Sequence, residues 1–108
     1  IYLKMKSNFP KLLYHATHRK NLGSIFADGI KPAEIGVFFS DKAGNAAKFL
    51  IFKIPKEEII AFEIETKYLD KKKLAESFDH SFEFFQCKAW VYSDLVPAEA
   101  IKNVFDFK

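Results

Sequence analysis

The sequence predicts an α+β fold in which short helices pack on an antiparallel sheet. Segments rich in aromatic and β-branched residues, typical of strands, begin near Leu13 and dominate the chain after residue 59. Between them, residues 21–27 and 41–50 carry apolar side chains three or four positions apart, which is typical of helices. The chain has 108 residues and no internal repeat or linker, so we expect a single domain over residues 1–108.

The first predicted helix is bounded by capping residues. Residues 11–16 form the strand before it, and a weak strand pattern covers residues 1–10. Thr17 is placed to cap the helix, and Asn21 is the cap if the connecting loop is longer. Gly29 ends the helix because glycine tolerates a positive φ.

The second predicted helix follows a second strand. That strand covers residues 37–40, and Ser40 is placed to cap a helix over residues 41–50. Alanines along this helix give it a small-residue face suited to close packing on a sheet. Residues 50–54 have strand character, which Pro55 ends.

The clearest strand covers residues 59–66. Its second half alternates apolar and acidic residues. The alternation predicts that Phe62 and Ile64 face inward, whereas Glu63 and Glu65 face outward.

A short helix and further strands complete the predicted order. Asp70 caps the helix, which covers residues 71–78 and carries a run of lysines on a solvated face. The remaining predicted elements are strands over residues 88–92 and 103–107, a turn begun by Pro97, and either a strand or an ordered loop over residues 82–86.

The composition limits the classes of function. Thirteen phenylalanines exceed what the core of a soluble domain of this size requires, so we expect some rings to line a cleft. Because neighbouring strand residues point in opposite directions, one of Phe38 and Phe39 must face the core. A net charge of +3 is too small to establish nucleic-acid binding without a clustered basic patch.

Cysteine usage and hydropathy bear on location and on metal binding. Cys87 is the single cysteine, which excludes an internal disulfide and fits a reducing cytoplasm. No apolar run approaches the length of a membrane span, and no secretory signal opens the chain. We therefore expect a cytoplasmic protein without a membrane partner. His15, His18, His80 and Cys87 match no common zinc spacing, so no metal site is expected.

Four segments carry an ordered set of motifs. They are Tyr14-His15-Ala16-Thr17, followed by Asn21, Ile25 and Gly29; Gly36-Val37-Phe38-Phe39-Ser40-Asp41; Ala46-Ala47-Lys48-Phe49; and Lys88-Ala89-Trp90-Val91-Tyr92, followed by Val96-Pro97 and Ile101. In order and spacing they resemble the ADP-ribosyltransferase superfamily, particularly its diphtheria-toxin and poly(ADP-ribose) polymerase branch. The opening motif is also similar to the DNA-modifying toxins of that superfamily. The resemblance implies a split antiparallel β-sheet with two or three short helices and a cleft for NAD.

The resemblance also implies roles for individual residues around the NAD cleft. His15 would hydrogen-bond a ribose hydroxyl, and the backbone at Ala16 would hold the nicotinamide amide. Phe38 and Phe49 would stack on the two faces of the nicotinamide ring, at positions that are usually tyrosine in the family. The other cofactor-binding residues that the motifs imply are Thr17 and Ser40.

Ala89 is the main departure from the family pattern. It occupies the position of the catalytic glutamate, whose charge would stabilise the positive ribose that forms as nicotinamide leaves. Of the nearby acids Asp79, Glu83 and Asp94, Glu83 in the preceding loop is the best candidate substitute, although a weak one. We therefore expect an inactive relative or an inactivated form of such an enzyme.

The leading functional hypothesis is an NAD-dependent ADP-ribosyltransferase, a small bacterial or phage toxin or effector. Its partners would be NAD and a macromolecular target, which is DNA, RNA or protein. An antitoxin protein would be a further partner. The first alternative is a non-catalytic module that binds NAD, ADP-ribose or another protein. The second is an enzyme like the RNA 2′-phosphotransferases, which share the fold and use NAD. That chemistry needs several cations around a phosphate, and Arg19 is the single arginine of the chain.

Overall fold

The computed structural model describes residues 9–34, 36–77 and 88–107. Within these ranges, six strands pair into one antiparallel sheet, which confirms the predicted class. The strands are β1 (Leu12–His18), β2 (Val37–Ser40), β3 (Ile59–Glu65), β4 (Leu74–Ser77), β5 (Ala89–Tyr92) and β6 (Ile101–Asp106). Two short helices accompany them, α1 (Leu22–Asp28) and α2 (Ala43–Lys48).

The sheet consists of two halves that meet at a single residue pair. Its strand order is β4-β5-β2-β1-β3-β6. Strand β1 pairs with β3 along all of its length, but with β2 only through Tyr14 and Ser40. We call β2, β4 and β5 the β2 half, and β1, β3 and β6 the β1 half. The structure thus has one continuous sheet with a narrow junction where the resemblance implied a split sheet.

The two helices cover opposite faces of the β1 half. The ring of Phe26 in α1 packs edge-on against Phe62 of β3, with ring centroids 5.9 Å apart. Ala47 of α2 instead shares a surface depression with Ile59 of β3. Odd and even positions of a strand point to opposite faces, so α1 and α2 lie on different sides of the sheet. Strand β3 is therefore covered on both faces, and its first six residues are all buried.

The main hydrophobic core lies on the α1 side of the sheet. Leu13 of β1, Phe39 of β2 and Phe62 of β3 are at most 1% exposed and belong to one cluster, which Ile25 of α1 joins. Strands from both halves contribute to this cluster. Apolar packing therefore holds the two halves together where the backbone ladder does not.

Gly29 ends α1 as the sequence predicts. Its φ of 84° lies in the region that favours glycine, and its N–H donates to the Ile25 carbonyl oxygen at 2.8 Å. A Cβ at this position would lie 2.3 Å from the Val96 carbonyl oxygen. The next residue, Ile30, exchanges two backbone hydrogen bonds with Val96, so glycine is what permits this close approach.

The predictions that Thr17 and Ser40 cap helices are wrong. Thr17 lies inside β1, where its hydroxyl oxygen accepts a hydrogen bond from the Asn21 side chain at 2.9 Å. His18 instead caps a 3₁₀ turn over Arg19–Asn21 that precedes α1, because its Nδ1 accepts from the backbone N–H of Lys20. Asn21 occupies the N-cap position of α1 without a side-chain capping bond. Ser40 is the last residue of β2, and α2 starts later without a side-chain cap.

Residues 50–54, predicted as a strand, form turns instead. The backbone N–H groups of Lys53 and Ile54 both donate to the Leu50 carbonyl oxygen, at 2.8 and 2.9 Å. These local bonds satisfy the backbone groups that a strand would have paired with a neighbour.

The helix predicted over residues 71–78 is also wrong beyond its first turn. Asp70 accepts a hydrogen bond from the Lys72 N–H, as a cap should. A single 3₁₀ turn follows, and the chain then continues as β4. Pairing with β5 along all four residues of β4 outweighs the weak helical preference of this stretch.

Glu63, predicted to face solvent, is only 7% exposed. It accepts hydrogen bonds from the Tyr14 hydroxyl and from the Asn103 side-chain amide, both at 2.7 Å. These bonds lower the pKa of Glu63, and the bond to Glu63 raises the pKa of Tyr14 to about 12. The alternation is misleading here because both faces of β3 are covered. The Glu63 carboxylate therefore needs hydrogen-bond donors from within the protein.

Some predictions lie outside the described residues. These are the strand pattern at the start of the chain up to residue 8, the segment 82–86, and the side chains of His80, Glu83 and Cys87. No helix in the described ranges is long and apolar enough to cross a membrane.

Candidate functional site

A cavity of about 660 Å³ opens at the junction between the two halves of the sheet. Its lining includes His15 of β1, Phe38 of β2, Phe49 at the end of α2, and Ala89 of β5. Ala16 of β1 lines it as well. The structure therefore brings together five predicted site residues from four separate segments of the chain.

His15 stands where β1 and β2 separate. Its Nδ1 lies 2.8 Å from the Phe38 carbonyl oxygen. A carbonyl oxygen can only accept, so Nδ1 carries the proton and Nε2 keeps its lone pair. Burial lowers the pKa of His15, and the bond to Phe38 partly opposes that effect. The ring is therefore neutral at pH 7, with Nε2 available as a hydrogen-bond acceptor.

The neighbouring phenylalanines of β2 have different environments. Both border the cavity, but Phe39 is 1% exposed and belongs to the core, whereas Phe38 is 41% exposed. This confirms that one of the two must face the core. The Phe39 ring also packs at a steep angle beside the His15 ring, with centroids 6.1 Å apart, and so supports it from the core side.

The wall opposite the strands comes from α2. Ala46 is 4% exposed, and it lines the cavity together with Phe49. The small side chain of Ala46 allows the helix to lie close to the sheet. Phe49 is half-buried, so one part of its ring packs on the protein and the rest faces the cavity.

Ala89 faces the cavity from β5, where it pairs with Ser40 of β2 and Ser77 of β4. Ala89 is 2% exposed, so only a small part of its surface faces the cavity. No carboxylate from the described residues lines the cavity. The wall is thus without negative charge at the position where the resemblance places a glutamate. Glu83, the candidate substitute, lies outside the described residues.

Thr17 does not line the cavity but lines a smaller polar depression of about 230 Å³ beside it. Asn21, which donates to Thr17, lines the same depression. His15 and Lys31 line both concave surfaces. The cavity and the polar depression are therefore adjacent parts of one larger site, with His15 between them.

Ser40 is not brought to either surface. It is fully buried, and the single proton of its hydroxyl is shared between the Lys88 carbonyl oxygen at 2.8 Å and the Asp41 carboxylate at 3.1 Å. Asp41 also accepts from the Asn45 side chain at 2.9 Å. Ser40 therefore ties β2 to the start of β5 and to the turn before α2, a role in positioning the cavity wall.

The sequence motifs missed the two lysines of the cavity. Lys31 lies in the connector after α1, and Lys53 lies in the turn that follows α2. Neither forms an ion pair within the part of the chain that the structure describes. Neither belongs to a motif, and only the folded connector and turn bring the two to one cavity.

The cavity combines aromatic surface, a neutral histidine acceptor and two cations, and the polar depression adds the Asp28 carboxylate. It suits a ligand with a flat ring, hydroxyl groups and negative charge. Among the described residues, no group of three or more His, Cys, Asp or Glu side chains is placed to hold a metal ion. Neither a protein-family model nor a curated protein sequence matches the chain.

Proposed function

We propose that the cavity binds NAD and that the chain is an ADP-ribosyltransferase-like domain whose cleavage step is disabled at Ala89. The observation that carries the proposal is the convergence of His15, Phe38, Phe49 and Ala89 on one cavity from four separate elements. The four residues lie far apart along the chain, and only the fold brings them to the lining of one cavity. Their convergence supports the resemblance on which the proposal rests.

The nicotinamide and ribose of NAD match the cavity lining. Phe38 and Phe49 supply aromatic surface on which a flat ring can stack. The neutral Nε2 of His15 can accept a hydrogen bond from a ribose hydroxyl. The cavity volume of about 660 Å³ falls within the range of roughly 300 to 1,000 Å³ that is typical of ligand sites.

The remaining parts of NAD match the adjoining surface. Lys31 and Lys53 provide the positive charge that a pyrophosphate requires. The polar depression continues from His15 and offers Thr17, Asn21 and Ser24 as partners for the hydroxyl groups of a second ribose. The two adjacent surfaces thus fit a ligand with two halves joined by an anionic bridge.

Ala89 determines what happens after binding. Loss of nicotinamide leaves positive charge on the ribose, and a carboxylate close to that ribose would stabilise the charge. The cavity has positive charge from Lys31 and Lys53 and no carboxylate among the described residues. We therefore expect the chain to bind NAD and to leave its glycosidic bond intact.

Titration calorimetry with NAD, ADP-ribose and nicotinamide tests the proposal, with chromatography of the mixture to detect free nicotinamide. We expect NAD to bind more tightly than either part, because ADP-ribose lacks the ring that stacks on Phe38 and Phe49, and nicotinamide lacks the groups bound by the lysines and the polar depression. No free nicotinamide should accumulate. Absence of binding at about 1 mM NAD, which means a binding free energy weaker than about −4 kcal/mol, would contradict the proposal.

Ala89 also favours a second candidate function, a module that binds NAD or ADP-ribose without any chemistry. The two candidates differ in whether a carboxylate at position 89 restores cleavage. A role like that of the RNA 2′-phosphotransferases has less support. The guanidinium of Arg19 forms two bonds to the Asp106 carboxylate, at 2.8 and 3.0 Å, and also donates to the Glu57 carbonyl. It is therefore engaged away from the cavity.

A further inference from the structure

A ridge formed by residues 49–53 follows α2 and separates two concave surfaces. Leu50 and Lys53 line the cavity on one side. Ile51 lines an apolar depression of about 160 Å³ on the other side. Phe52 lies between these residues in sequence and is 82% exposed, far more than any other exposed large apolar side chain of the described residues. The turns within residues 50–54 hold this ring out in solvent.

Both sides of the ridge carry positive charge. Lys31 and Lys53 line the cavity, and Lys48 and Lys56 line the apolar depression. No carboxylate from the described residues lines either surface. Residues 42–56 contain lysines and no acidic residue. Within the described ranges, none of these four lysines has an ion-pair partner.

We infer that the ridge docks a single-stranded nucleic acid, with a base stacked on Phe52 and phosphates bound by the flanking lysines. Each nucleobase offers a flat π-face, so one exposed aromatic ring can bind a strand of any sequence. Because Leu50 and Lys53 belong both to the ridge and to the cavity wall, the docked strand lies at the cavity mouth. The inference names the macromolecular target of the proposed transferase and in that respect rests on the proposed function.

The arrangement fits a single strand better than other polyanions. The bases of a duplex stack on one another and present no free face to Phe52. An anionic membrane favours a face of several apolar side chains inserted together. Here Ile51 is 52% exposed but lines the depression, and Phe52, which is 82% exposed, lines neither concave surface. A basic patch interrupted by one ring is typical of single-strand recognition.

Fluorescence anisotropy with labelled oligonucleotides tests the inference on the whole chain without NAD. The probes are oligothymidylate and oligouridylate of about 12 nucleotides, within the site sizes of single-strand binders, and a duplex of the same length. Both single strands should bind more tightly than the duplex. Phe52→Ala should weaken single-strand binding by roughly 5- to 100-fold, and Phe52→Tyr should retain it.

The salt dependence tests the role of the lysines. Each lysine that neutralises a phosphate should contribute about 0.7 to the slope of log K against log salt concentration. Lys48→Ala and Lys56→Ala should each reduce the slope by about that amount. Tyr68→Ala is the matched control, because Tyr68 is 43% exposed beside Lys67 but lines neither surface of the ridge. It should leave the affinity unchanged.

Three results would overturn the inference: no binding of either single strand at about 50 mM salt, equal losses in Phe52→Ala and Tyr68→Ala, or Phe52-dependent binding of phosphatidylserine vesicles in place of oligonucleotides. Calorimetry with NAD separates this inference from the proposed function. Phe52→Ala should bind NAD as the unmodified chain does. If NAD binds and oligonucleotides do not, only the docking inference fails.

Discussion

The Nδ1 of His15 lies 2.8 Å from the carbonyl oxygen of Phe38, and this bond joins β1 to β2 just beyond their single shared ladder pair. A side chain thus satisfies a carbonyl group at the point where the strands separate. The same bond selects the tautomer and orients the imidazole. The geometry of the cavity at this point therefore depends on one side chain.

We predict that His15→Ala weakens NAD binding while the chain stays folded. The lost hydrogen bond to the ribose should cost roughly 0.5 to 1.5 kcal/mol of binding free energy. Loss of the bond to the Phe38 carbonyl should also cost roughly 1 to 3 kcal/mol of folding free energy, which lowers the melting temperature without unfolding the chain. Calorimetry and thermal unfolding measure the two effects. His18→Ala is the control for binding, because His18 caps a turn and does not line the cavity. A variant of His15 that does not fold would contradict the assigned role.

Phe38→Ala should mainly weaken NAD binding, whereas Phe39→Ala should mainly reduce stability. Phe38 faces the cavity, so its loss should weaken NAD binding by roughly 0.5 to 1.5 kcal/mol and change the free energy of unfolding little. Phe39 is a core residue, so its loss should cost about 3 to 5 kcal/mol of stability. Chemical denaturation and calorimetry on both variants check this. Equal destabilisation by the two substitutions would contradict the placement of Phe38 in the ligand site.

Ala89→Glu should restore NAD cleavage. A preorganised carboxylate at this position would stabilise the positive ribose, and a single group of this kind is worth roughly a hundred- to a thousand-fold in rate. Ala89→Gln has nearly the same volume without the charge and should stay inactive. Nicotinamide release, measured with and without single-stranded DNA, RNA and protein extract, is the readout. A folded Ala89→Glu variant that binds NAD and releases no nicotinamide would favour the non-catalytic binding module.

Two glycines provide a matched test of the fold. Gly29→Ala should be strongly destabilising, because its φ is 84° and the new Cβ would lie 2.3 Å from the Val96 carbonyl oxygen. Gly44→Ala should stabilise the chain by about 0.5 to 1 kcal/mol, because it lies in α2 with nothing within 4 Å of the new Cβ. The midpoints of denaturant unfolding compare the two variants. Similar midpoints would show that Gly29 is not required for the close approach to Val96.

The bond between Tyr14 and Glu63 should make stability depend on pH at both extremes. The pKa of Tyr14 is raised from 10.0 to about 12, so its contribution is present below pH 10 and is lost as the pH rises toward 12. The pKa of Glu63 is lowered from 4.5, so its contribution is present above pH 4.5 and is lost as the pH falls through the folded value. Tyr14→Phe should reduce both slopes of the free energy of unfolding against pH. An unchanged profile in that variant would contradict the coupling.

Local pattern was sufficient to predict several elements. Strand β2 was predicted with its observed bounds, and Gly29 was predicted as the end of α1, because both depend on residues close in sequence. Segments whose form depends on distant partners were predicted poorly. The segment 50–54 pairs with none of the described strands, and β4 is a strand because β5 lies beside it.

Prediction of the site was limited in the same way, because residues outside the local motifs were missed. The motifs named His15, Phe38, Phe49 and Ala89, which share one cavity. The lysines of the cavity and the exposure of Phe52 depend on how a connector and a turn fold against the strands, so no local signal identified them. Ser40 was misjudged because a serine after a strand is a common helix cap, whereas here it bonds to the distant carbonyl of Lys88.

The single-pair junction of the sheet has a consequence for how the chain reaches its folded state. Along the sequence, the strands alternate between the halves: β1 and β3 flank β2, and β6 follows β4 and β5. Neither half therefore corresponds to a continuous fragment that could fold alone, and ending the chain before β6 leaves the edge of β3 open. Assembly requires contacts between distant segments before either half is complete, which favours slow, cooperative folding.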